Sequence, residues 1–305
     1  RKNPAVIETF YFCKGVIEMP YSYSNAERAK ILVQALPYIQ KHSGKIIVIK
    51  YGGNAMINDE LKQQVMEDIV LLWHVGVKIV LVHGGGPEIN DLMKRLGKKA
   101  EFVDGLRVTD KETVDIVEMI LAGKVNKSLV NLLQMRGGNA IGLSGIDGRL
   151  IECKVKDSRL GFVGEVTHVN AKPVLDLLEK GYIPVVSTVG CDEKGNAYNI
   201  NGDTAAACIA GALNTETFIL MTDVPGILRD KDDERTLIPA VTIAETAKLK
   251  EEGVIAGGML PKVKCCEDAI SHGVKNVIIM DGRVPHSILM ELLTDEGAGT
   301  MVTGE

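Results

Sequence analysis

Two apolar runs in the first third of the chain each end on a cluster of glycines. Residues 46–49 lead into Lys50-Tyr51-Gly52-Gly53, and residues 78–83 lead into Gly84-Gly85-Gly86-Pro87. A helical pattern follows each cluster. Leu61, Val65, Ile69 and Leu72 share one face of residues 60–75, and residues 87–96 read as a second helix. Two strand–glycine–helix units in succession imply parallel strands with right-handed crossovers. That points to an α/β fold, which binds ligands at the carboxyl ends of its strands.

The same rhythm continues. Residues 25–41 read as one amphipathic helix with Asn25 as its cap, and Pro37 kinks it or ends its regular part. Residues 110–122 and 125–135 read as two helices, and 140–143 as a strand. Residues 150–168 and 190–198 read as hairpins, 171–180 as a helix and 183–187 as a strand. A helix over 204–213 starts near Asp203 or Thr204. Strands over 217–221 and 276–280 alternate with helices over 244–252 and 262–272. A boundary near residue 188 separates two halves.

Composition narrows the function. Hydrophobic residues make up 46% of 305, so the chain folds. Only 4% are aromatic while 32 are glycine, which suits an α/β enzyme better than an all-β binding module. A net charge of −5 gives no basic footprint for nucleic acid. No apolar run reaches the ~18 residues of a membrane span. The six cysteines form no C-x-x-C pair and read as reduced thiols of a cytoplasmic protein. The histidines show no metal-binding spacing. Arg1 is not a natural initiator and Met19 precedes a sensible start, so residues 1–18 are expected to be upstream or added sequence or a true extension.

The polar residues at the strand ends suggest anion chemistry. Lys50 ends a strand beside Gly52-Gly53, and Lys262 opens a helix after Gly257-Gly258-Met259. Glycines admit backbone N–H groups close to a phosphate, and lysine adds movable positive charge. A lysine at a helix N-terminus opposes the helix dipole unless an anion binds there. Asp203, in Asn199-Ile200-Asn201-Gly202-Asp203, could organise both lysines; on spacing alone it reads almost as well as a helix N-cap. Arg107 can grip a carboxylate bidentately, though a loop arginine is ordinarily a surface charge. Asn199 and Asn201 offer amides. Thr222-Asp223 follows another strand and is either a nucleotide contact or a plain turn. Neither a P-loop nor a Rossmann fingerprint is present.

In order, Lys50-x-Gly52-Gly53, His83-Gly84-Gly85-Gly86-Pro87, Gly105-Leu106-Arg107-Val108-Thr109, Asn199-Ile200-Asn201-Gly202-Asp203, Thr222-Asp223-Val224-Pro225-Gly226 and Gly257-Gly258-Met259-x-Pro261-Lys262 resemble the amino acid kinase family. They are most similar to its branch that phosphorylates N-acetyl-L-glutamate in arginine biosynthesis. The resemblance covers about residues 25–305. It implies an open α/β/α sandwich with a mainly parallel central sheet. It implies residues 1–24 as an extension, 25–44 as an oligomerisation and regulatory helix, 45–188 as the acyl-substrate lobe, and 189–305 as the nucleotide lobe with a regulatory tail. Lys50, Lys262 and Asp203 become catalytic. Gly85, Gly86, Arg107, Asn199 and Asn201 become substrate-binding. Gly52, Gly53, Thr222, Asp223, Gly257, Gly258 and Met259 become nucleotide-binding, with ATP and Mg²⁺ required and no protein metal site.

A carboxylate acceptor is already ionised at neutral pH, with a reference pKa of about 4.3, so no general base is needed. Two features resemble the arginine-inhibited members: the N-terminal helix, which links dimers into a hexamer, and a tail in which His286, Glu296 and Gly299 would meet L-arginine. A PII-type signalling protein is a further partner that the resemblance allows; nucleic acid and membrane are not. The alternatives are a kinase for another acidic amino acid or carrier-bound aminoadipate or glutamate, and a catalytically silent amino-acid sensor.

Overall fold

The structure is a computed structural model that describes residues 23–304; the expectations for residues 1–18 lie outside them. The chain divides into two compact units, residues 1–36 and 37–305. The described part of the first holds α1 (Asn25–Gln34), none of whose residues is buried. Its cap is Ser24, not Asn25. The Ser24 hydroxyl accepts from Glu27 N–H and the Glu27 carboxylate accepts from Ser24 N–H, a reciprocal box that closes two orphan donors. The single helix expected over 25–41 is two: α2 (Leu36–His42) begins after Ala35. Pro37 lies in the first turn of α2, where its missing N–H breaks no ladder bond.

The second unit opens with β1 (Ile46–Tyr51), α3 (Asp59–His74), β2 (Lys78–His83) and α4 (Gly86–Arg95). A small hairpin of β3 (Phe102–Val103) and β4 (Leu106–Arg107) leads to α5 (Lys111–Glu118), α6 (Asn126–Met135) and β5 (Ala140–Ser144). The two helices expected here are one continuous run, because residues Met119–Val125 form a π-helical stretch between them. Then follow β6 (Ile151–Val155), β7 (Gly164–Val169), α7 (Lys172–Glu179), β8 (Ile183–Ser187), β9 (Val189–Cys191), β10 (Ala197–Asn199) and α8 (Gly202–Ala212). The last third holds β11 (Thr217–Thr222), β12 (Ala240–Thr242), α9 (Ile243–Glu251), α10 (Met259–Ser271), β13 (Asn276–Asp281), α11 (Ser287–Leu293) and β14 (Gly299–Thr303).

Eight strands form the central sheet in the order β12-β14-β13-β11-β1-β2-β8-β5. From β13 to β5 every neighbour is parallel, and β14 turns the far edge antiparallel. Alternate residues feed two cores. Ile47 and Ile49 face one, with Ile69, Ile116 and Leu129 from α3, α5 and α6. Val48 faces the other, with Val174, Ala205 and Val263 from α7, α8 and α10. Helices therefore cover both faces, which is why the strands read as continuous apolar runs. A second sheet, in the order β10-β9-β6-β7, carries the expected hairpins.

The position of the site follows from this order. Strand β1 has β11 on one side and β2 on the other. The connection from β1 runs to β2 on one side and that from β11 runs on to β12 and β13 on the other, so a crevice opens between the carboxyl ends of β1 and β11.

Candidate active site

Lys50 lies near the carboxyl end of β1, level with Val82 of β2 and Leu220 of β11. Its Nζ is 2.9 Å from Asp203 Oδ1, and the two side chains are 14% and 25% exposed. Partial burial weakens solvent screening of this pair. Asp203 is in the first turn of α8. The cap of that helix is Asn201 rather than Asp203 or Thr204: Asn201 Oδ1 accepts from both of their N–H groups at 3.1 Å. Because Asn201 does the capping, the Asp203 carboxylate is free to turn to Lys50.

Gly52 and Gly53 follow the strand. A methyl group on Gly52 would lie 2.8 Å from Lys50 Nζ. Gly53 has φ +71°, and a methyl there would meet Asp223 Oδ1 at 2.8 Å. These glycines thus admit the lysine of β1 and the acid that follows β11. Thr222 is buried at the end of β11, immediately before Asp223.

Arg107, at the end of β4, is only 7% exposed. Its guanidinium stacks 4.9 Å from the centre of the Phe102 ring. Its polar contacts are weak ones, to Met93 Sδ and the Gly86 carbonyl, both at 3.4 Å. Among the described residues no carboxylate pairs with it, and burial lowers its pKa. A buried cation without a counter-charge is costly, and an incoming carboxylate would relieve that cost. Arg107, Gly85, Gly86, Asn199 and Asn201 all line one cavity of about 160 Å³. Its apolar wall includes Leu106, Leu121 and Val163.

A wider cavity of about 660 Å³ is lined by Asn201, Asp203, Gly258 and Lys262. Lys262 does not open its helix as expected. Helix α10 starts at Met259, after Gly257 and Gly258, and Lys262 is its fourth residue. The lysine shares this cavity with Asp203, but no ion pair joins the two among the described residues. Among the described residues no group of three or more His, Cys, Asp or Glu could hold a metal ion.

The tail residues are placed elsewhere. His286, with φ 54°, has Nδ1 2.6 Å from Oδ1 of buried Asp68. Glu296 is exposed, and Gly299 is the first residue of β14. No hydrogen bond or ion pair joins these three to one another among the described residues. The Tyr38 hydroxyl donates to Asp295.

His83 and Asn126 were not picked out by the sequence reading. His83 is fully buried, and burial pushes its pKa down to about 4, so its ring is neutral. Its Nδ1–H donates to the Gly84 carbonyl at 2.8 Å and its Nε2 accepts from Asn126 Nδ2 at 3.1 Å. Asn126 also donates to Val185 and Leu143 carbonyls. The pair ties the triple-glycine loop to β8 and β5. His83 stood in a quoted motif, which was its one signal; a mid-helix asparagine carries none.

The model of the amino acid kinase family matches residues 45–281. Acetylglutamate kinase of Clostridioides difficile (strain 630) is 54% identical over 282 residues, covering 92% of this chain and 99% of that protein. Acetylglutamate kinase of Gloeobacter violaceus is 52% identical, covering 92% and 94%. Among solved structures, an N-acetylglutamate synthase from Neisseria gonorrhoeae in complex with coenzyme A and N-acetyl-glutamate superposes with TM-score 0.79 at 24% identity. That alignment covers 91% of this chain and 63% of the synthase. A Giardia lamblia carbamate kinase bound to AMP-PNP gives TM-score 0.63 at 18% identity, covering 87% of this chain and all of that one. These two likenesses concern the fold. The family match and the near full-length relatives go further, and the chain belongs to the amino acid kinase family, among its acetylglutamate kinases.

Proposed function

We propose that this chain uses ATP to phosphorylate the side-chain carboxylate of N-acetyl-L-glutamate, giving N-acetyl-L-glutamyl 5-phosphate for arginine biosynthesis. The observation that carries the reading is the Lys50–Asp203 pair at the β1 crevice, together with a buried Arg107 that has no carboxylate partner among the described residues. The names of the full-length relatives support the same substrate.

Arg107 and Asn199 hold the acyl substrate in the smaller cavity, with Asn201 lining it. The acyl lobe spans residues 45–188, and Asn199 reaches it from the nucleotide lobe, 189–305. The apolar wall suits the acetyl methyl. A carboxylate oxygen of the substrate attacks the γ-phosphorus, and the bond from that phosphorus to the β,γ-bridging oxygen breaks. ADP leaves with the electron pair, and no proton needs to move. Lys50 and Lys262 stabilise charge spreading over the transferring group, and Asp203 fixes Lys50. Gly85 and Gly86 start α4, whose first N–H groups have no intrahelical acceptor and suit an anion. Gly52, Gly53, Thr222, Asp223 and Gly257–Met259 attend the nucleotide. Mg²⁺ fits as a companion of the nucleotide phosphates, since it usually keeps several waters and few protein ligands.

Around this core we place a cytoplasmic homo-oligomer, a hexamer built as a trimer of dimers, inhibited by L-arginine at the tail segment with His286, Glu296 and Gly299. A PII-type signalling protein belongs to the same regulatory reading. Among the described residues no helix is long and apolar enough to cross a membrane.

A coupled assay of ADP release tests the substrate. N-acetyl-L-glutamate is expected to be turned over, and free glutamate and aspartate to be poor. Turnover of only the free amino acids overturns the reading.

A further inference from the structure

We infer that Thr109 is a positioning residue that fixes the Asn199 side chain against the main chain of Arg107, so that the two carboxylate-binding residues form one clamp. The inference rests on the substrate reading above and deepens it. The Thr109 side chain is fully buried. Its hydroxyl donates to the Arg107 carbonyl at 2.9 Å. It also accepts from Asn199 Nδ2 at 3.3 Å. A single hydroxyl therefore links the Arg107 main chain to the Asn199 side chain, and the two residues, far apart in sequence, line the same cavity.

The direction of these bonds matters. A threonine hydroxyl has one proton. That proton is committed to the Arg107 carbonyl, so only a lone pair faces Asn199. A lone pair selects the amide nitrogen over the amide oxygen. Thr109 thus decides which end of the Asn199 amide is held, and one N–H and the oxygen remain for a ligand.

The backbone reinforces the clamp. Thr109 N–H donates to the Leu160 carbonyl at 2.9 Å, and the Thr109 carbonyl accepts from Phe162 N–H at 2.6 Å. Asn199 N–H donates to the Phe162 carbonyl at 2.9 Å. The segment between β6 and β7 is thereby stitched to both Thr109 and Asn199. Gly161 makes the close approach feasible: it has φ +68°, and a methyl there would lie 2.4 Å from the Thr109 carbonyl oxygen. Within this frame the hydroxyl is the only side-chain link between the two halves of the clamp among the described residues.

The test is steady-state kinetics of Thr109→Val, Thr109→Ala and Thr109→Ser, with melting temperatures measured alongside. Valine keeps the shape and removes both hydrogen bonds; serine keeps the hydroxyl. Thr109→Val is expected to raise KM for N-acetyl-L-glutamate at least tenfold, with kcat and KM for ATP within threefold of the parent. Thr109→Ser should return KM to within threefold. Where Val does not fold, Ala takes its place in the comparison, and serine alone must still match the parent. A purely structural role would lower the melting temperature and the active fraction without moving KM. Unchanged KM in Val and Ala, a serine variant as impaired as valine, or a loss confined to kcat overturns the inference. An unmutated chain that does not turn over N-acetyl-L-glutamate contradicts the substrate reading instead, so the two failures are distinguishable.

Discussion

Asp203 Oδ1 lies 2.9 Å from Lys50 Nζ, whereas Lys262 lines the same cavity as Asp203 without forming an ion pair with it. The two lysines are therefore not equivalent. Lys50 is held by β1 and an acid at the foot of α8. Lys262 lines the cavity without an ion pair to that acid among the described residues.

Removal of either lysine is expected to act on the chemical step. Lys50→Ala and Lys262→Ala should each lower kcat by about a hundredfold or more, roughly 3 kcal/mol of transition-state stabilisation. Effects on KM for the acyl substrate should be smaller. Asp203→Asn should also lower kcat, through a misplaced Lys50. Stopped assays at saturating substrates check this, and near-normal kcat in Lys50→Ala contradicts the two-lysine account.

Arg107 should behave differently. Its buried guanidinium has no carboxylate partner among the described residues, so its worth lies in ground-state binding as well as in the transition state. Arg107→Ala is expected to raise KM for N-acetyl-L-glutamate at least tenfold, about 1.4 kcal/mol or more. Arg107→Lys should recover little, because lysine lacks the planar fork and the stack on Phe102. Initial rates against substrate concentration decide it, and a lysine variant equal to the parent would argue against bidentate binding.

Two buried groups give opposed pH dependences of stability. Burial pushes the Asp68 carboxyl up from 3.8 to about 6, although the hydrogen bond from His286 pulls the other way. The folded state then binds more protons than the unfolded one between those values, so this contribution falls as pH rises through the window. His83 is lowered from 6.5 to about 4, so its contribution rises with pH over nearly the same range. Each slope is at most about 1.4 kcal/mol per pH unit. Asp68→Asn should therefore make stability climb more steeply from pH 4 to pH 6. Urea midpoints at several pH values measure this, and an unaltered profile in the variant would count against the Asp68 assignment.

The N-terminal helix offers a regulatory prediction. None of α1 is buried, and its Leu32 and Val33 are exposed apolar residues. The break after Ala35 marks the cut, since Tyr38 already hydrogen-bonds Asp295 in the second unit. A chain lacking residues 1–35 should remain active, elute as a smaller oligomer and lose most inhibition by L-arginine. Unchanged elution and unchanged inhibition would place regulation elsewhere.

The central strands were legible because β1 and β2 are buried on both faces, which forces apolar runs, and because each ends on glycines that no strand interior favours. Lys50, Gly52 and Gly53 followed from that same punctuation. Other features depended on chemistry that spacing does not encode. Ser24 and Asn25 are both good caps, and only the reciprocal Glu27, a signal present in the sequence, separates them. Asn201 capping α8 is a choice among the nearby polar residues Asn199, Asn201, Asp203 and Thr204. The expected break between two helices falls at Gly123-Lys124, inside the π-helical stretch from Met119 to Val125, where a glycine punctuates the pattern but the helical run continues. The Thr109 and Asn126 contacts join residues distant in sequence, and no local pattern announces them.

The most direct measurement is hydroxylamine trapping of the product formed from ATP, Mg²⁺ and N-acetyl-L-glutamate. An acyl phosphate on the side-chain carboxylate gives the γ-hydroxamate of N-acetylglutamate, in amounts matching ADP released. The account predicts that hydroxamate from the parent chain, and at least about a hundredfold less from Lys50→Ala. ADP release without hydroxamate, or hydroxamate from free glutamate but not from the acetylated substrate, would contradict it.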